Sequence, residues 1–551
     1  MSNSSSIDSS QVIDVAIVGG GISGAYAAWR LAKSKKFKEV RLYEMSDRIG
    51  GRLLSMAMPD MPHVYAELGG KYFSDSQFIV SNLVKDVLKL EVVPTTYKAA
   101  NNQMYLRNKH LRISELTNAV NLPYNLRPNE RGKDLDELFG YAVKRAINKG
   151  KSLPLNYFTS EQWQHDREHL KVGCEFLYEI SIWKLLLEFL SQEAYNLCLD
   201  SGYFYSSDLG NWNAAEAIAT NMSIPCNSQW FTLKNGNEQL PKTLATEFEQ
   251  YEGKVFYRHC LSKFNRHTSD QLIELEFIDI ETKLAYPKVL AKHLILAMPK
   301  RSLELLYQKN QNNFLFQDSK FTKNLHTVSI CPASKLFLSY EYPWWNKLGM
   351  KHGMSATDLP IRKCSYEGTE SENGGDLNNH KSLLLASNSD GRTVSFWRAM
   401  VDSPEQPQNH QAFNNYLHAN KLSKSFLHSD GTPEQEPLRA TENMVQTTQK
   451  QLEALHAIEE IPQPYSALYI DWGKDPYGGG WHSWNPHCKP WDIMKQMRHP
   501  LENANVYICG EAYSNRQGWV QGALHSTELM LEENFHLERP EWLPSNYAFG
   551  A

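Results

Sequence analysis

From Val12 to Val18 the chain is apolar except at Asp14 and mostly β-branched, and three glycines follow at once. A short apolar run bounded by glycine predicts a buried parallel strand. Ile22 to Lys33 then repeats its apolar residues with a helical period, and Val40 to Tyr43 is a second short apolar run. The chain therefore opens as strand, turn, helix, strand, a single βαβ unit. From about Asn121 the texture changes to helix-forming stretches such as Cys174 to Leu199, whose apolar positions are too dense for one exposed stripe. Strand-like runs return at Lys254 to Tyr257, Leu272 to Ile278 and His293 to Leu296, then at Lys335 to Tyr340 and Asn505 to Cys509, so the opening domain is resumed after an insertion. Polar stretches containing Gly and Pro at Tyr366 to Lys381, Asp402 to His410 and Ser429 to Pro437 predict long surface loops, and the serine-rich residues 1–10 predict a disordered tail.

With 551 residues the chain exceeds what one hydrophobic core organises, and two or three intertwined domains are expected. A net charge of -5 spread over the whole length provides no basic face for a polyanion, so nucleic acid is not an expected partner. The eight cysteines, Cys174, Cys198, Cys226, Cys260, Cys331, Cys364, Cys488 and Cys509, form no CxxC pair and no zinc-like spacing with histidine, which predicts reduced thiols and no metal site. The N-terminus lacks the basic and apolar regions of a secretion signal, and no apolar run reaches about 18 residues. A soluble, cytoplasmic protein without membrane contact is the expectation.

Gly19-Gly20-Gly21-Ile22-Ser23-Gly24 fits GxGxxG and stands between a strand and a helix start. There Gly19 permits the tight turn, Gly21 lets backbone approach a pyrophosphate, and Gly24 lets helix and strand pack closely. Glu44, just past the second strand, can accept hydrogen bonds from a ribose diol. The pattern does not by itself separate a nicotinamide from a flavin dinucleotide. Its continuation, Glu44-Met45-Ser46-Asp47-Arg48-Ile49-Gly50-Gly51-Arg52, adds backbone N–H groups from a second glycine turn and two guanidinium charges, which suit an extended, phosphate-rich ligand.

Here the sequence resembles the flavin amine oxidase superfamily of monoamine, polyamine and L-amino acid oxidases, and its run Ala66-Glu67-Leu68-Gly69-Gly70 looks like the segment that passes near the isoalloxazine. Asn235-Gly236, Gln239-Leu240-Pro241, Val255 and Ala297-Met298-Pro299 resemble a second FAD-contacting stretch. Cys509-Gly510-Glu511-Ala512 with Gln517-Gly518-Trp519-Val520-Gln521-Gly522-Ala523 looks like the C-terminal flavin signature. The resemblance implies FAD contacts at Gly19, Gly21, Ile22, Ser23 and Gly24, at Glu44, Met45, Arg48, Gly51 and Arg52, and at Leu68, Gly69, Gly70 and Lys71. It adds Val255 through its backbone, Gly510, Glu511, Gly518, Trp519, Val520 and Ala523. Members with covalent flavin carry a cysteine near the glycine run that here reads Gly478-Gly479-Gly480-Trp481, so Trp481 implies FAD bound non-covalently.

The fold so implied is mixed α/β and α+β: a Rossmann-like FAD-binding domain from 11–75, 232–302 and 500–535, an interleaved substrate domain with a mixed sheet from 76–120 and 303–499, and a helical insertion from 121–231. Lys335 stands at the start of a strand ahead of Pro343-Trp344-Trp345, where the family places a lysine that holds a water against flavin N5. Gly480, His482 and Trp519 match positions around the substrate, with His482 and Trp519 as aromatic walls. The motif texture is nearest the escapin-like and bacterial L-amino acid oxidases, with one departure: Lys71 and Tyr72 stand where those enzymes carry a Met-Arg pair whose arginine grips the carboxylate. Neither reproduces a bidentate fork. The implied reaction is hydride loss from the amine-bearing carbon to the flavin, imine hydrolysis to keto acid and ammonia, and reoxidation by dioxygen to hydrogen peroxide. A small amine or amino acid and dioxygen are thus the partners. An amine or cyclic-imine dehydrogenase acting on a substrate without a free carboxylate, a catalytically silent flavoprotein, and a homodimer all stay open.

Overall fold

In the computed structural model the described residues are 12–401 and 440–549, less 98, 119, 149–156, 203–205, 207, 226, 268–270, 476, 546 and 548. The expected tail and the expected loops at Asp402 to His410 and Ser429 to Pro437 lie outside the described residues.

The opening strand Val12–Val18 is buried from Val15 onward and pairs in parallel with Val40–Tyr43 on one side and Val289–Leu296 on the other. Lys254–Phe256 extends the sheet beyond Val40–Tyr43, while Val289–Leu296 is shared along its other edge by Ile273–Asp279 and Val506–Ile508. His259–Arg266 completes seven strands. Distant stretches of chain thus meet in one sheet. Helix Ile22–Ser34 packs on it between helices Gln239–Gln250 and Val520–Phe535, with the Trp29 indole donating to Glu247 at 2.7 Å and the Tyr26 hydroxyl to Glu528 at 2.7 Å. Arg30 closes the contact as an ion pair with the fully buried Glu528.

A second seven-stranded sheet runs in the order Ser466–Asp471, Ala333–Tyr340, Ser382–Asp390, Lys363–Thr369, Met354–Thr357, Gln103–Leu106 and Lys109–Arg112. It is antiparallel except where Met354–Thr357 meets Gln103–Leu106. The run expected as a surface loop from Tyr366 to Lys381 is one from residue 370 onward, and only its start is corrected: Lys363–Thr369 is an interior strand in which Tyr366 is 4% exposed. Polarity was a poor guide because both faces of this strand are covered.

The helices Leu135–Asn148, Glu161–His169, Ile182–Phe189, Gln192–Asp200 and Ala214–Met222 pack mainly on one another and on the short turns beside them. The dense apolar stretch Cys174 to Leu199 is not one helix. The Ser181 hydroxyl accepts from the Lys184 N–H and the Ser191 hydroxyl from the Ala194 N–H, so each serine caps a new helix start. Among the described residues no helix is long and apolar enough to cross a membrane.

Two glycines of the first turn differ in what surrounds them. A Cβ on Gly24 would stand 1.8 Å from the Gly19 carbonyl oxygen, a backbone atom that cannot swing away, whereas a Cβ on Gly21 would meet only the Gly51 Cα at 3.8 Å. Gly24→Ala is expected to destabilise the protein by about 2 kcal/mol or more, and Gly21→Ala to leave the unfolding transition unchanged. Chemical denaturation of the two flavin-free variants checks this.

Candidate active site

One cavity of about 1610 Å³ runs from the first glycine turn to the face of the second sheet. Helix Ile22–Ser34 starts on it after Gly21, and helix Val520–Phe535 starts on it after Trp519, neither with a side-chain cap. Two unsatisfied sets of N–H groups and two positive dipole ends therefore face the same space, which suits a diphosphate. Space above Gly21 and Gly510, where an added Cβ would meet nothing nearer than 3.8 and 3.9 Å, leaves the backbone open to a ligand.

The cavity wall includes Gly19, Gly21, Ile22 and Ser23, then Glu44, Met45, Arg48, Gly51 and Arg52. It continues through Leu68, Gly69, Gly70, Lys71 and Tyr72 to Lys335, and closes with Gly480, Trp481, Gly510, Glu511, Gly518, Trp519, Val520 and Ala523. Gly24, Val255 and His482 lie outside that wall. Gly24 is the helix-to-turn contact already described, and Val255 sits beside Leu42 in the sheet.

The expected aromatic wall at His482 is corrected. Strand Trp481–Trp484 pairs antiparallel with Val328–Cys331, and side chains alternate across it, so Trp481 faces the cavity and His482 is buried behind it. Its Nδ1–H donates to Glu511 at 2.8 Å, and burial holds its imidazole below the ordinary range, in the neutral form.

Glu511 does more than face a ligand. One oxygen accepts from the backbone N–H of Gly518 at 2.6 Å and of His482 at 3.1 Å, the other from Arg52 at 2.8 Å and the His482 ring. Burial alone would raise this carboxyl, but His482 and Arg52 beside it hold it well below the usual carboxylate range. The two arginines expected to offer charge to phosphate are likewise engaged within the protein: Arg52 with Glu511 and the Gly480 carbonyl, Arg48 with Glu238 and the carbonyls of Gly51 and Leu53. They shape the wall. Glu44 accepts from the backbone N–H of Gly20 at 2.6 Å and of Ser46 at 2.9 Å while lining the cavity.

At the other end Lys335 Nζ donates to the carbonyls of Glu67 at 2.7 Å and Gly69 at 2.5 Å. Burial, then the like charge of Lys71, push its ammonium below the ordinary lysine range. Lys71 is ion-paired with Glu367 and lies 4.7 Å over the Tyr72 ring. Burial pulls Lys71 down, and Glu367 more than reverses this, holding it charged.

Tyr97 and Trp230, two residues of the wall, escaped the sequence reading, whereas Tyr72 and Trp519 beside them did not. Tyr72, Tyr97, Trp230 and Trp519 form a ladder of rings at centroid spacings of 5.9, 5.7 and 5.8 Å, and all four line the cavity. Trp472, which donates to the Leu68 carbonyl, lines it too, and Glu367 sat in the run read as a loop.

A cavity opened by an uncapped glycine turn and lined at its far end by a buried lysine suits a dinucleotide with a reactive ring system. The chain belongs to the flavin amine oxidase family, whose model, flavin containing amine oxidoreductase, matches residues 22–528. Its cofactor is FAD, and it acts as a flavin-dependent oxidoreductase on the C–N bond of an amine. Among its relatives are aplysianin-A of Aplysia kurodai, 25% identical over 95% of this chain and 90% of that protein, and achacin of Lissachatina fulica, 25% identical over 96% and 94%. L-amino acid oxidase Cdc18 of Crotalus durissus cumanensis is 24% identical over 64% of this chain and 65% of its own. Among solved structures, a putrescine oxidase bound to putrescine superposes with a TM-score of 0.61 at 15% identity, covering 96% of this chain and 99% of that one. The mixed α/β architecture is that of the flavin amine oxidases.

Glu511→Gln should cost about 3 kcal/mol at pH 7, since it removes one partner of a buried ionic knot. A carboxyl depressed in the folded state stabilises above its unfolded value near 4.5 and loses that contribution as pH falls toward its folded value. The gap between wild type and variant in denaturant titrations should therefore be widest at neutral pH and narrow below pH 4.5.

Proposed function

We propose that the protein oxidatively deaminates an L-amino acid, with dioxygen as oxidant, to a keto acid, ammonia and hydrogen peroxide. The observation that carries the proposal is Lys335: a buried amine, depressed toward its neutral form, lining the cavity against the Glu67–Gly69 backbone. Relatives named as L-amino acid oxidases support the substrate class. The flavin, when bound, would supply the acceptor for hydride from the amine-bearing carbon and the route of the electrons to dioxygen. In this proposal the glycine turn and the two helix N-termini hold the diphosphate, Glu44 the ribose, and Gly69, Gly70 and Trp481 flank the ring system without a covalent bond. Trp519 walls the substrate, and Lys335 accepts or positions a proton through water. The aromatic ladder lines the cavity beside Trp519 and shields the substrate from bulk water. The division into flavin, substrate and helical domains set out above belongs to the same proposal, as does a cytoplasmic setting, in keeping with the unpaired spacing of the eight cysteines.

One observation favours a second reading. Tyr72 stands in register with the carboxylate-gripping arginine of the resembling oxidases, and Lys71, in register with their methionine, is already compensated by Glu367, so the Lys71-Tyr72 pair presents no net charge to a carboxylate. A substrate without a free carboxylate, an amine or amide, meets no penalty there.

Anaerobic bleaching of the bound flavin by the twenty L-amino acids, their amides and common polyamines separates the readings. Bleaching by free acids, with stoichiometric keto acid and peroxide on admitting air, is the expected result; amides matching their acids would favour the second. Lys335→Met should retain FAD yet reduce flavin several orders of magnitude more slowly in stopped-flow absorbance, and a near-normal rate removes Lys335 from the chemistry.

A further inference from the structure

The segment that receives the hydrogen bonds of Lys335 is the one that carries Lys71. Lys335 Nζ donates to the carbonyls of Glu67 and Gly69, and two residues past Gly69 the chain presents Lys71. That stretch is fixed in place. The Asn237 side-chain amide donates to the carbonyls of Gly70 at 3.1 Å and Lys71 at 2.7 Å, and the Asn237 backbone N–H donates to the Glu67 carboxylate at 2.8 Å. From across the cavity floor, strand Lys363–Thr369 supplies Glu367 to the Lys71 ammonium, with about nine-tenths of both side chains buried.

The charged groups that face Lys335 are therefore Glu67 on the strand before the glycines, Lys71 after them and Glu367 two strands away in the sheet that carries Lys335. Its partners across its own sheet, Asn388 and Ile470, carry no charge. Two carboxylates and two lysines thus stand together where solvent screens little, and removing either member of the Lys71–Glu367 pair leaves a bare charge near Lys335.

We propose that Lys71 and Glu367 form a positioning pair whose balanced charges set the protonation of Lys335, and that this, not carboxylate recognition, is why a lysine occupies position 71. Lys71 alone would drive the proton off Lys335, Glu367 alone would hold it on, and together they leave the amine able to exchange a proton during turnover. The like-charge effect of Lys71 and the opposing effects of Glu67 and then Glu367 act on Lys335 in these two directions. The inference rests on the proposed role of Lys335.

The test is the pH dependence of anaerobic flavin reduction at saturating substrate, in FAD-loaded protein whose flavin spectrum and unfolding transition are checked for each variant. Lys71→Met leaves Glu367 uncompensated and should move the rising limb of the profile to higher pH by about one unit; Glu367→Gln should move it to lower pH by a similar amount. The double variant should return toward the wild-type limb, and Lys71→Arg and Glu367→Asp should keep it in place. Limbs that stay put, or that move in the same direction in both single variants, overturn the inference, because a structural role alone slows the reaction without displacing its limb in opposite senses. Lys335→Met serves as the separate control: if the limb persists there, it is the role of Lys335 that fails, and if it vanishes while the Lys71 and Glu367 variants leave the wild-type limb unmoved, the pairing fails.

Discussion

The Glu511 carboxylate is the tie on which the cavity depends. Four donors from three places in the sequence converge on it: the Arg52 guanidinium, the ring and backbone of His482, and the Gly518 N–H. Buried without them, an ionised carboxylate would cost far more than the fold could bear; with them, it fixes the glycine-arginine turn, the Gly480 corner and the start of the last helix relative to one another. Arg52 then reaches on to the Gly480 carbonyl, so the two walls of the flavin site are set by one charge cluster. Shape in this region follows from electrostatics rather than from apolar packing.

Glycine supplies the complementary constraint. Gly69 could not carry a Cβ, which would fall 1.8 Å from the Arg52 carbonyl, and Gly480 would place one 2.2 Å from that of Cys331. Backbone therefore passes backbone closely at the points where the two sheets approach, and this brings Lys335 from the second sheet onto carbonyls of the segment joined to the first. The aromatic ladder covers the space left over.

Local chemistry was legible in the sequence. The glycine turn, Glu44, the Gly69-Gly70 pair and the Gly510-Glu511 motif are contiguous patterns whose physical roles are set by neighbours a few residues away, and Lys335 carried a marker in the Pro343-Trp344-Trp345 that follows it. What depended on register was not. Whether Trp481 or His482 looked into the cavity was decided by pairing with Val328–Cys331, since a shift of one residue exchanges the faces of a strand. Tyr97 and Trp230 meet because Val92–Thr95 pairs with Trp230–Leu233, a long-range contact with no local signature. Glu367 was hidden by its own polarity, in a run that reads as a loop until the partner at Lys71 is known.

The contacts between helix Ile22–Ser34 and helix Val520–Phe535 bear on how the protein is made. Tyr26 and Arg30 meet Glu528 across some five hundred residues, and the opening strand completes its sheet only through Val289–Leu296 and Val506–Ile508. On the ribosome the N-terminal glycine turn emerges first and waits for nearly the entire chain before its helix has a partner. A nascent or prematurely ended chain therefore holds the dinucleotide fingerprint without the second helix terminus that completes the site. The walls of the cofactor cavity are therefore complete only when residues from both ends of the described chain have come together.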